Sequence, residues 1–265
     1  METKQFIDQM GRTVEITQPL RRIVSLVPSQ SELLIHLGLE EHLVGVTKFC
    51  IHPAGMKERV GQIGGTKTVK IKEVLALKPD IVIGNKEENL QSDIEALEQH
   101  VPVWMSDIHD LESALEMVHQ IGLLTEKVQV TLPMIHTIRQ EFNELKQFTS
   151  SNELLKTLYL IWRKPFMAAG KGTFIDDCLQ HCGLVNCVEE TRYPAINLED
   201  LYPDLILLSS EPYPFQEKHI VEIQKRFPLA KIKLVDGEYF SWYGSRMLDA
   251  PKYFRSLFEE IHSHK

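Results

Sequence analysis

The stretch IKEVLALKPDIVIG (residues 71–84) reads as a short amphipathic helix, a Pro-Asp turn and the continuous apolar strand Ile81-Val82-Ile83. A strand with no polar alternation is buried on both faces, as strands are in parallel sheets covered by helices. The unit occurs twice. INLEDLYPDLILL (residues 196–208) carries Leu198-Glu199-Asp200-Leu201 into Tyr202-Pro203-Asp204 and then Leu205-Ile206-Leu207-Leu208. The segments after the two copies also match: a polar loop, a helix (93–100; 219–227), a strand ending in Asp (101–107; 232–236) and another helix. Upstream, residues 22–38 correspond to 157–183, a strand, loop and helix closed by Gly-Leu, with about ten extra residues in the second loop. The expected fold is therefore α/β, with two similar lobes of mainly parallel sheet, over residues 1–124 and 149–265.

The first lobe opens with alternation through Thr13, Val14, Glu15 and Ile16, a turn at Pro19, and a buried-type strand through Ile23, Val24, Leu26 and Val27. Ser29 or Ser31 is placed to cap a helix over Glu32–Leu37 that ends at Gly38, with another apolar strand at Leu43–Val46. This is a βαβ unit. Joining the lobes, residues 125–148 repeat Val128, Leu132, Ile135, Ile138, Phe142 and Leu145 at helical spacing, with Thr125 as N-cap. Such a helix is roughly 35 Å long. Pro133 falls inside it and predicts a kink or a break near Gln129.

Composition narrows the function. Of 265 residues, 29 are Lys or Arg and 37 are Asp or Glu, a net charge of −8, with 43% hydrophobic and 25% charged residues, so the chain is globular rather than disordered. No basic run exists for duplex DNA, other nucleic acid or an anionic membrane. No apolar stretch approaches a membrane span, and METKQFIDQMGRTVEI (residues 1–16) lacks the apolar centre of a secretory signal, so the chain as written reads as soluble. Four cysteines, Cys50, Cys178, Cys182 and Cys187, leave the compartment open.

Chemistry-bearing motifs are sparse. Residues 61–68, GQIGGTKT, approach a phosphate-binding loop but place Thr66 where the second Gly belongs and follow no apolar strand, which favours a turn or a ligand-facing loop over nucleotide binding. Cys178 and Cys182 lie one helical turn apart beside His181, yet without CxxC spacing they read as small core residues. No GxSxG elbow is present, and most of the eleven histidines fall on polar helix faces or in the tail; His52, in a loop with Phe49 and Cys50, is the exception. Aromatic residues carry the stronger signal. Trp162, Phe166, Tyr193, Tyr213, Phe215, Tyr239, Phe240, Trp242 and Tyr243 fall in segments expected just beyond strands of the second lobe, where α/β folds bind ligands, although some would pack beneath the loops. A wide or flat ligand is implied, with Arg163, Lys164, Lys171 and Arg246 available for anionic groups.

The order of RIVSLVPSQSELLIHLGL (22–39), VGVTKFCIHP (44–53), VGQIGG (60–65), IKEVLALKPDIVIG (71–84), WRKPFMAAGKGTFIDDCL (162–179), INLEDLYPDLILL (196–208) and WYGSR (242–246) resembles the class III substrate-binding proteins of bacterial ABC importers, and among them the cobalamin-binding members. The resemblance covers nearly the whole chain. It implies two α/β lobes joined by one long backbone helix, a ligand held in the cleft between the lobes, delivery to a permease and its ATPase, and no catalysis or catalytic cofactor. The carried ligand would be cobalamin or a related corrinoid, with ferric siderophore or haem as alternatives. Ligand-facing positions carried over by matching segments are Ser29, Gln30, Phe49, Cys50, Gly65, Thr66, Asn85, Lys86, Phe166, Tyr193, Tyr213, Trp242, Tyr243 and Arg246. In that family one acidic residue per lobe docks on permease arginines, and Glu73 and Glu199 stand near the matching places; the competing reading is a glutamate favoured in a first helical turn by the helix dipole. The resemblance implies a monomer in the periplasm or cell envelope, whereas the opening residues leave a cytoplasmic relative open: a metal-handling protein or enzyme using His52 or the Cys178/Cys182 pair.

Overall fold

The strand Ile23–Ser25 is the axis of the first sheet in a computed structural model that describes residues 2–150 and 154–263. It pairs in parallel with Leu43–Val46 on one edge and Ile81–Asn85 on the other; Gly61–Gln62 and Val103–Ser106 extend the sheet outward. All five residues of Ile81–Asn85 are buried, as the unbroken apolar run demands. Val24, Leu26, Val82, Val103 and Met105 pack with Val74, Ile94 and Leu97 from the flanking helices Ile71–Ala76 and Gln91–Glu98. An antiparallel hairpin, Glu2–Ile7 with Thr13–Gln18, precedes the sheet, and its alternation buries Val14 and Ile16.

The second sheet repeats the plan. Leu155–Trp162 pairs in parallel with Leu184–Asn186 and with Leu205–Ser209, which pairs in turn with Lys231–Val235. A short antiparallel strand, Met167–Ala168, folds back on Leu155–Trp162. Leu158, Leu160, Ile206 and Leu208 form its core with Leu198, Phe215 and Ile223. By compactness one unit comprises Met1–Ile108, Glu112–His136 and Tyr243–Arg246, and the other His109–Leu111, Thr137–Trp242 and Met247–Lys265. The chain is thus an α/β protein with duplicated, mainly parallel sheets.

Helix boundaries follow local chemistry more closely than spacing suggested. The first helix is Pro28–His36, with Val27 as N-cap in place of Ser29 or Ser31, because Pro28 at the first position loses no helical hydrogen bond and already has helical φ. It closes on Gly38 at φ 75°, and its counterpart Phe174–His181, capped by Thr173, closes on Gly183 at φ 69°, both in the left-handed region that favours glycine.

The long helix is Val128–Thr149, beginning in the first unit and ending in the second. Thr125 is not its cap. It ends the preceding helix Leu111–Leu124, donating its hydroxyl to Ile121 O at 2.6 Å. Glu126, at φ 58°, then turns the chain: its N–H reaches Leu123 O, and Lys127 N–H reaches Gly122 O at 2.7 Å. This is a Schellman closure without glycine. Pro133 is carried inside the helix, where only the Gln129 carbonyl in the first turn loses its helical donor. The buried stripe is Thr131, Met134, Ile135, Ile138, Phe142 and Leu145, while Leu132 is 50% exposed. Thr131 takes the inward place because it packs on Gly122, where an added Cβ would come within 2.2 Å of its hydroxyl.

The two Pro-Asp turns do the same work. Asp80 Oδ2 accepts the backbone N–H groups of Arg21 and Arg22, both at 2.8 Å, and Asp80 N–H returns to Arg22 O. Asp204 Oδ2 accepts Lys156 N–H at 2.9 Å, and its own N–H returns to Lys156 O. Each carboxylate ties the start of a central strand to its neighbour. Asp80→Ala is expected to cost about 1–3 kcal/mol and Asp204→Ala about 1 kcal/mol in urea unfolding, since charge-assisted bonds are lost in a 2:1 ratio. Equal, negligible losses would refute this role.

Candidate ligand-binding site

In each sheet the first strand is central and later strands add on both sides, so the chain reverses direction beside it. Open α/β sheets bind ligands outside the carboxyl ends of their strands at such a reversal. In the first unit the reversal lies between Ile23–Ser25 and Ile81–Asn85, and a buried polar layer occupies it. Ser106 Oγ donates to Gly84 O and accepts from Gln30 Nε2 at 2.7 Å and Asn85 Nδ2 at 3.0 Å. Because Ser106 spends its proton on a carbonyl, Gln30 must present its amide nitrogen, which leaves Gln30 Oε1 buried with no protein partner. Asn89 accepts Asn85 N–H at 2.9 Å and donates to Thr66 O at 3.1 Å, joining a third strand end to the layer. Ser31 Oγ lies 2.8 Å from Ser25 Oγ and 3.2 Å from Cys50 Sγ, which joins a fourth.

Over this layer stands Phe49, 49% exposed, its ring 5.0 Å from Lys48 Nζ and in contact with Gly65, where a Cβ would approach Phe49 at 3.3 Å. Lys86 is exposed and paired with Asp107. Ser29, Gln30, Cys50 and Asn85 are buried. The Gln30 and Asn85 amides bond Ser106, and Asn85 Oδ1 also accepts the Glu87 and Glu88 N–H groups, so these two side chains support the loops from beneath. Thr66 is buried at 9% exposure.

Tyr243–Arg246 belongs to the first unit and lies on the helix Pro28–His36: Gly244, at φ 98°, would place a Cβ 3.2 Å from Leu33. Arg246 is engaged by Glu32, with Nη2 to Oε1 at 2.7 Å and Nε to Oε2 at 3.3 Å. This bidentate pair binds the segment to the helix. Tyr243 is buried.

In the second unit the reversal lies between Leu155–Trp162 and Leu205–Ser209, where Tyr159 Oη is 3.2 Å from Ser209 Oγ. Burial raises the Tyr159 phenol well above its ordinary value, so it stays protonated. Ser209 donates to Glu211 O at 2.6 Å, and Glu211 Oε1 accepts Trp242 Nε1–H at 3.0 Å. Trp242 is only 7% exposed, and Phe240 and Phe215 are buried as well. Trp162 is 40% exposed, while Phe166, Tyr193 and Tyr213 are half-buried, Phe166 and Tyr213 packing against the sheet's core. Trp162 meets Tyr213 edge-on at 5.7 Å, and Tyr213 meets Phe215 at 4.8 Å.

Glu73 and Glu199 are exposed in the first turns of Ile71–Ala76 and the 3-10 turn Leu198–Asp200, paired with Lys70 at 2.9 Å and Arg226 at 2.7 Å. Burial pushes the Cys178 and Cys182 thiols up and Cys187 to about 11, so none supplies a thiolate at neutral pH. Among the described residues no group of three or more His, Cys, Asp or Glu could hold a metal ion, and no helix is long and apolar enough to cross a membrane. His52 is half-buried.

Ser106, Asn89, Ser209 and Glu211 belong to these polar layers and carry no motif in the sequence. A polar residue ending an apolar strand, as in Ser106 and Ser209, is the signal that would have found two of them.

The family described as periplasmic binding protein matches residues 23–228. The vitamin B12-binding protein of Vibrio cholerae serotype O1 (strain ATCC 39541 / Classical Ogawa 395 / O395) is 24% identical over 206 residues, 77% of this chain and 72% of that protein. Among solved structures, the periplasmic vitamin B12 binding protein of Vibrio cholerae superposes with a TM-score of 0.77 at 22% identity, covering 93% of this chain and 99% of that one. A periplasmic heme-binding protein from Roseiflexus sp. RS-1 superposes at 0.79 with 17% identity, covering 92% and 99%. With duplicated parallel sheets, polar layers at their reversals and a family match across most of its length, this chain belongs to the periplasmic binding protein family.

Proposed function

We propose that the protein captures cobalamin or a related corrinoid outside the cytoplasmic membrane, without chemistry on it, and delivers it to the permease of an ABC importer. The observation that carries the reading is the presence of exposed rings at the carboxyl ends of both sheets, Phe49 in one and Trp162 in the other, the latter backed by half-buried Phe166 and Tyr213. Flat apolar faces suit a broad macrocycle, and relatives named for vitamin B12 support that choice over other flat ligands. Phe49, Gly65, Thr66, Lys86, Phe166, Tyr193 and Tyr213 are the contacts proposed, with Ser29, Gln30, Cys50, Asn85 and Tyr243 holding the loops. Trp242 acts from below, and Arg246 acts through Glu32.

A thermal-shift and absorbance titration with cyanocobalamin, haem and ferric siderophores tests this. Ligand at a hundredfold excess over Kd stabilises the folded state by about 2.7 kcal/mol, so cyanocobalamin is expected to raise Tm by several degrees. A shift with haem or a siderophore alone transfers the reading to that ligand, and no shift with any rejects it. Phe166→Ala is expected to weaken corrinoid binding roughly ten- to hundredfold with little loss of stability. Trp242→Ala removes a buried ring and a partner of Glu211, and is expected to lower unfolding stability by about 3 kcal/mol. A Trp242→Ala protein as stable as wild type would place that ring on the surface.

Glu73 and Glu199 are proposed to dock on permease arginines. Both ion pairs are solvent-exposed and contribute about 0–1 kcal/mol, so Glu73→Arg and Glu199→Arg should leave Tm and ligand affinity nearly unchanged. Exposed charges of this kind set encounter and register. The double variant is expected to abolish stimulation of the transporter's ATPase; normal stimulation removes the docking role, and a large loss of stability in either single variant favours the first-turn role.

A further inference from the structure

His219 stands behind the outward rings of the second unit. It is the third residue of the helix Glu217–Gln224 and is 3% exposed. Gln216 backbone N–H donates to His219 Nδ1 at 2.9 Å. A backbone amide has no acceptor role, so Nδ1 carries no proton and the ring, when neutral, is protonated at Nε2. Nε2 lies 3.3 Å from Tyr213 Oη, where its proton meets the hydroxyl oxygen. The ring also packs edge-on against Tyr213 and Phe215, each at 5.5 Å. Tyr213 in turn packs on Trp162, so one chain of contacts runs from the helix cap to the exposed Trp162 ring.

We propose that His219 is a positioning residue for ligand binding, its Nε2-protonated tautomer holding the Tyr213 hydroxyl and, through it, the Trp162–Tyr213–Phe215 wall in place. The ligand consequence rests on the corrinoid reading; the tautomer and its hold on the wall do not. Protonation would put a second donor on Nδ1, facing the Gln216 N–H, and would break the cap that orients the ring. The charges that act on it are Lys218 and Glu222 on its own helix and Arg163 from the loop after Leu155–Trp162; Lys164 of that loop acts on Glu222, and Tyr213 is the remaining titratable neighbour. Arg163 Nη2 holds both Glu222 oxygens, at 2.8 and 2.7 Å. Burial first, then Lys218 and Arg163, lower the imidazole from its ordinary 6.5, against an opposing pull from Glu222. With the folded value below the unfolded one, the unfolded chain binds the extra proton first. Stability from this group is complete above about pH 6.5 and falls as pH drops below it toward the lower folded value.

Long-range proton–nitrogen NMR on the ¹⁵N-labelled full chain reads the tautomer directly, and a protonated Nδ1 at neutral pH would overturn the proposal. Corrinoid affinity is then measured from pH 7.5 to 4.5 in wild type and His219→Gln, which retains an acceptor for the cap but does not titrate. Wild type is expected to lose about tenfold in affinity through the titration, and His219→Gln to give a flat profile with weakened binding at neutral pH. Superimposable wild-type and variant profiles overturn the proposal. If His219→Gln does not fold, His219→Asn takes its place, with the same two outcomes. If no corrinoid or haem binds at all, the functional reading fails, and near-UV circular dichroism of the ligand-free wall over the same pH range decides this inference. A transition in wild type that is absent from the variant supports it, and identical curves reject it.

Discussion

Each unit depends on a central first strand paired along both edges. Ile23–Ser25 is flanked by Leu43–Val46 and Ile81–Asn85, and Leu155–Trp162 by Leu184–Asn186 and Leu205–Ser209. Backbone groups on both edges are then satisfied within the sheet, and both faces can be apolar. The chain must reverse its direction of growth beside that strand, and at the reversal the connecting loops splay apart. The exposed rings stand beyond the ends of these same strands, so the architecture of the site is a consequence of strand order.

Opening the sheet at that point leaves polar backbone groups in a buried place. Leaving one unpaired costs about 1–3 kcal/mol, which explains why Gln30, Asn85, Asn89 and Ser106 are given to this layer in the first unit, and Tyr159, Ser209 and Glu211 in the second. The layer supports the outward rings: Asn89 holds the Thr66 loop beside Gly65 and Phe49, and Glu211 holds Trp242 beneath the loops. Polar residues at these strand ends therefore act through the loops they fix.

The repeated unit IKEVLALKPDIVIG and INLEDLYPDLILL was legible because turn chemistry and apolar runs are local properties. Its two aspartates even perform the same strand-tying bond. Gly38 and Gly183 marked helix ends, whereas the equivalent closure at Glu126 was invisible: a residue other than glycine was held at positive φ by hydrogen bonds that only the folded chain supplies. The apolar spacing of the long helix was right for most of its stripe and wrong at Leu132, because the inward place beside Gly122 admits Thr131.

Taken alone, the sequence determined the α/β class, the duplication, the long helix and the family likeness, since these rest on periodicity, turn residues and the order of segments. Tertiary structure decided which site residues face outward. Phe49 and Trp162 are exposed, while Gln30, Cys50, Asn85 and Trp242 are buried and Arg246 is held by Glu32. The physical reason is that exposure and pairing depend on partners far away in the chain: Gln30 meets Ser106, Trp242 meets Glu211, and Arg246 meets Glu32 across 214 positions. No spacing rule within a single segment carries that information.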